Sequence, residues 1–147
     1  MKKLLILVVL LSAFSSCSIE DDGEDFYYEV MPIESVDLPE NFVFGETHSI
    51  GVTYLRTSTC HVFFNFANTI DGNERTIAVV NRVVTEPTCD QDDTEVTINF
   101  NFTVSSNEPY VFRFFQGENE EGEDQYYMVE VPVVSGISAL GNTSITN

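Results

Sequence analysis

The stretch Val96-Thr97-Ile98-Asn99-Phe100-Asn101-Phe102-Thr103-Val104 constrains the fold more than any other part of the chain. Apolar and polar residues alternate along it without a break, and a period of two puts one face of an extended strand in a core and the other in water. Residues 47–56 repeat the pattern, with Ile50, Val52 and Tyr54 on one side. In residues 60–66 the same alternation predicts Cys60, Val62, Phe64 and Phe66 inward, and His61, Phe63 and Asn65 outward. Residues 75–84 form a β-branched run after Asp71-Gly72-Asn73, a strong turn signal. Residues 110–116 and 126–134 read as a pair joined by the acidic loop 117–124. An opening strand lies near residues 28–36, where Pro32 confines it to a sheet edge. No segment carries a helical stripe. The spacing predicts an all-β fold, an antiparallel Ig-like sandwich of about seven strands over residues 28–135, followed by a polar tail over 136–147.

Composition sets the size and the sign of what this domain can meet. A chain of 147 residues with 43% hydrophobic and 12% aromatic content makes one domain with a proper core. Its 24 acidic and 6 basic residues give a net charge of −18. Such a surface repels phosphate backbones and anionic headgroups, which excludes electrostatic nucleic-acid binding.

The first 25 residues read as an address. Lys2 and Lys3 precede the unbroken apolar run 4–11, which is too short for the roughly 20 residues of a membrane span and fits a signal-peptide core. Phe14-Ser15-Ser16-Cys17 then resembles a bacterial lipobox. The resemblance implies cleavage after residue 16 and acylation of Cys17, with palmitate among the chains; Phe14 stands where an aliphatic residue is usual. Residues 17–27 form an acidic tether. Glu20-Asp21-Asp22-Gly23-Glu24-Asp25 extends by self-repulsion, and it resembles the surface-export signal of Bacteroidota lipoproteins. The expected location is the outer membrane, with the domain at the cell surface and the membrane reached through the acyl anchor.

Setting Cys17 aside leaves Cys60 and Cys89, and an even remainder in an exported chain predicts one disulfide. A two-cysteine metal site is the alternative, but His61 is adjacent to Cys60 rather than spaced to share a metal. The mature chain resembles the short β-sandwich lipoproteins of flavobacteria through Tyr54-Leu55-Arg56, Cys60-His61, Arg75-Thr76-Ile77-Ala78-Val79 and Gly122-Glu123-Asp124-Gln125-Tyr126. That resemblance implies a location and no chemistry.

Catalytic signals are sparse. Only His48 and His61 could serve a nucleophile as base, and no phosphate-cradling glycine loop or HExxH helix is present. Two acidic loops, one with Asp90, Asp92 and Asp93 and the other with Glu118, Glu120, Glu121, Glu123 and Asp124, offer oxygen ligands to calcium. Neither follows a calcium-loop pattern, and solvated turns explain them more simply. No cofactor, metal or catalytic residue is therefore assigned. Both faces of the strand at 110–116 are partly apolar, so outward Phe63 with Val111, Arg113 and Phe115 forms the candidate interaction patch. The expectation is an envelope lipoprotein whose small binding or structural β-sandwich meets a protein or glycan partner and is not an enzyme. An envelope hydrolase or a calcium-dependent accessory protein is the alternative.

Overall fold

The computed structural model describes residues 25–85 and 88–136. The signal segment, Cys17, the acidic run 20–24 and nearly all of the expected tail lie outside them. Ten strands follow in order: β1 (Phe26–Met31), β2 (Ile33–Asp37), β3 (Phe42–Val43), β4 (Thr47–Ser58), β5 (His61–Asp71), β6 (Glu74–Val84), β7 (Gln91–Thr103), β8 (Tyr110–Glu118), β9 (Asp124–Val131) and β10 (Val133–Val134). The expected all-β sandwich is present. The first strand opens at Phe26, two residues before the expected boundary.

β6 is the spine of a five-stranded sheet. β5 pairs along one side of it, from His61↔Val83 to Asp71↔Glu74. Its other side is shared: β1 takes the half from Val79 to Val84, antiparallel, and β8 takes residues 74–77 in parallel. β9 then pairs antiparallel with β8. The opposing sheet has the order β2-β4-β7, and the two-residue strands β3 and β10 pair in parallel beside it. These two parallel pairings depart from the purely antiparallel pattern expected. They join strands distant in sequence, so no local period announces them.

Alternation does its work where it was cleanest. Ile50, Val52 and Tyr54 of β4 are buried, as are Ile77 and Val79 of β6 and Phe112 and Phe114 of β8. Val96, Ile98, Phe100 and Phe102 of β7, beside β4 in the same sheet, pack against this core. Phe42 closes one end of this core, with its ring 5.2 Å from Phe102 and 5.8 Å from Phe112. Tyr110 is fully buried, yet its hydroxyl accepts N–H bonds from Ser105 at 3.2 Å and Ser106 at 3.0 Å. Burial raises its pKa, but the Ser105 hydroxyl at 3.4 Å, these two backbone bonds and the Arg75 charge outweigh burial, so the net shift is downward.

Pro32 has no N–H to give a ladder, and the chain uses that position to change sheets. Met31 pairs with Val79 in one sheet and Ile33 with Tyr54 in the other, both buried. Two further crossings lie together at one end of the sandwich: the β4–β5 corner and the connection from β6 to β7. The predicted Cys60–Cys89 disulfide joins them, with Cα atoms 5.5 Å apart. Thr59 N–H donates to the Asp90 carbonyl at 2.9 Å beside it. The bridge thus links two inter-sheet corners.

Candidate functional site

β5 corrects the sequence reading. Phe63 points inward and packs against the core, while Val62 and Phe64 are 52% and 54% exposed. The cause is a bulge: register shifts between Phe63 and Asn65, so parity before the bulge is opposite to parity after it. Phe66 returns to the core with its ring 5.0 Å from Phe63 and 5.2 Å from Phe100. His61, expected outward, is buried. Its Nε2 donates to Glu29 Oε2 at 2.9 Å, and Ser58 Oγ lies 2.6 Å from its Nδ1. This imidazole pins the disulfide corner to β1. Ser58 Oγ also accepts the Cys60 N–H at 3.3 Å, which ties the hydroxyl into the turn.

Val111, Arg113 and Phe115 do share a surface, the outer face of the five-stranded sheet. The parallel register sets Arg113 beside Thr76, and the antiparallel one sets it beside Met128 and sets Phe115 beside Tyr126. Arg113 donates to Glu74 Oε1 at 3.1 Å, and its guanidinium stands 4.5 Å from the centre of the Tyr126 ring. Met128 is 59% exposed. Phe63 does not belong to this patch. Its place on the face is taken by Val62 and Phe64 on β5, with Phe26, Tyr28 and Val30 on β1. The Tyr28 ring lies 4.7 Å from Phe64 and 5.5 Å from Phe26, so these exposed aromatics form one contiguous group. Phe26 and Tyr27 adjoin the acidic run and fall in the expected tether 17–27, and Tyr28 opens the expected strand, so alternation alone does not mark this aromatic group.

Between the two ends of this face the surface sinks into a trough of about 260 Å³. Small residues make it: Ala67 and Thr69 of β5, and Thr76 and Ala78 of β6. Val30, Phe115 and Tyr126 stand around it, and Glu118 and Asp124 close one rim. A second bulge brings Glu118 there. Register shifts between Phe115 and Glu118, which restores Glu118 to the face of Phe115. Gly117 supplies the left-handed φ of 97° at this bulge. The Tyr126 hydroxyl donates to Asp124 Oδ2 at 3.0 Å. That bond, then burial, then the Asp124 charge raise the Tyr126 pKa, against a smaller opposing effect of Arg113.

Two other hollows differ in chemistry. One of about 300 Å³ lies beside β2 and Tyr127; another, of about 220 Å³, lies at the open sandwich edge between Phe66 and Phe100. None of the three is lined by Ser58, His61 or Glu29. Of the acids considered for calcium, Asp92 is held by Arg56 and Thr94. Asn119 organises the other loop, accepting the backbone N–H of Glu121 and of Glu123 at 3.0 and 2.9 Å. Comparison with protein-family models, curated proteins and solved structures returns no match.

Proposed function

We propose that this chain is an envelope-anchored lipoprotein whose β-sandwich is a non-catalytic binding module, held by acyl chains on Cys17 at the outer membrane and turned toward the cell exterior. The outer face of the five-stranded sheet carries this reading. It exposes Phe26, Tyr28, Val30, Val62, Phe64 and Met128 together, on a chain whose charge otherwise favours a hydrated surface. A protein or glycan partner is the kind of ligand such aromatics engage, since they give large contact area at low entropic cost.

The test has two arms. Intact-mass analysis of the mature chain should show acylated Cys17, and Cys17→Ala should leave the membrane fraction or persist with an uncut signal segment; an unmodified Cys17 overturns the anchoring. A photo-crosslinking residue at Tyr28 should then form adducts on intact cells, while one at Asn101 on the opposite, polar sheet face should not. Equal adducts from both positions overturn the assignment of the face.

A further inference from the structure

The trough on this outer face has a chemistry of its own. Glu118 and Asp124 are directly opposed partners on β8 and β9 and both line it. Like charges in facing positions of a sheet destabilise it unless something neutralises them. The chain has little to offer. Beyond Lys3 its basic residues are Arg56, Arg75, Arg82 and Arg113 alone. Arg56 is paired with Asp92. Arg75 donates to the carbonyls of Gly72 and Glu74 and stands over the Tyr110 ring. Arg82 stands over Phe26, and Arg113 is paired with Glu74. None forms an ion pair with Glu118 or Asp124 among the described residues.

In the same trough as that carboxylate pair lie the apolar residues Val30, Ala67, Ala78 and Phe115. We propose that the trough is a binding site for an alkylammonium group, with the alkyl stem along Ala67 and Ala78 and the ammonium between Glu118 and Asp124. Thr69 and Thr76 also line the trough, and a threonine hydroxyl can accept from a second N–H. A volume of about 260 Å³ suits a fragment of this size rather than a larger ligand. This deepens the reading of the outer face as the binding surface and rests on it.

The probe is hexylammonium, with 1-hexanol as its uncharged counterpart. Each is titrated at physiological ionic strength into the isotopically labelled full mature chain, purified from whichever fraction holds it. Amide shifts should saturate and cluster at Val30, Ala67, Ala78, Phe115 and Tyr126, and hexanol should bind at least tenfold more weakly. Glu118→Gln with Asp124→Asn should weaken hexylammonium about tenfold, the loss expected for a charge pair at a partly exposed site. Ala78→Phe fills the trough and keeps both carboxylates; it should abolish the clustered shifts while core amides such as Val52 and Phe112 stay in place.

Equal binding of hexanol overturns the ammonium assignment. Unchanged shifts in Ala78→Phe overturn the site, because the amine is then only a counter-ion of an acidic protein. Should Tyr28 still crosslink on cells while hexylammonium fails, the outer face survives and this ligand class falls.

Discussion

At the scale of single residues, the sequence shows which side chains are polar but not which of them are stranded. Asn81 lies at 0% exposure in a strand of valines, and neither its Nδ2 nor its Oδ1 has a hydrogen-bond partner of full geometry. The nearby buried Tyr54 hydroxyl has its pKa raised by burial, and Asn81 offsets this only in part. An unsatisfied buried amide costs more than an apolar group of similar shape. Replacing both polar partners, Asn81→Leu with Tyr54→Phe, should therefore raise the unfolding free energy by about 1 kcal/mol in denaturant titration, and a loss of stability would show that the pair is well satisfied. Tyr126 gives a second handle. Its folded pKa lies above the ordinary 10.0, chiefly through Asp124. The protonated phenol is the form that folding favours, so its contribution is complete below pH 10 and disappears as pH rises through the folded value. Asp124→Asn should bring the Tyr126 titration back toward the ordinary range, read by ultraviolet difference titration of tyrosinate.

At the scale of elements, legibility followed locality. The β4 and β7 faces could be read from alternation because each runs past its core face without a break in parity. β5 could not, because the extra residue between Phe63 and Asn65 reverses parity midway and leaves no mark in composition. Pro32 was legible as an interruption, but its use as a crossing depends on partners some 45 and 20 residues away, at Val79 and Tyr54. The trough was illegible for the same reason, since residues from β1, β5, β6, β8 and β9 line it or stand at its rim. Cysteine counting did reach a tertiary contact, because compartment and parity left a single pair. The Cys60–Cys89 bridge has a sequence separation of 29; in the chain-entropy model, replacing both cysteines by alanine should cost about 3.5 kcal/mol. Chemical denaturation of the double variant checks this, and a loss under about 1 kcal/mol would mean that the Thr59–Asp90 and Val84–Cys60 backbone bonds already hold the corners.

At the scale of the whole molecule, a charge of −18 with only a few arginine pairs means that folding gathers like charges. Raising the ionic strength from low to physiological should stabilise the domain by roughly 1 kcal/mol, or about 4 °C in Tm. Scanning calorimetry in a sodium chloride series would show it, and a falling Tm would mean that Arg56–Asp92 and Arg113–Glu74 outweigh the general repulsion. One further consequence follows from the path of β1. The strand enters at Phe26, is laddered to β6 over six residues, and has Val30 at the trough before the chain turns at Pro32 into the other sheet. If Cys17 carries the anchor proposed above, β1 would be the mechanical link: tension from the membrane would load its ladder to β6 and reach Val30 at the trough wall. Pulling on such an anchor and gripping at the trough would then be two loads on one strand.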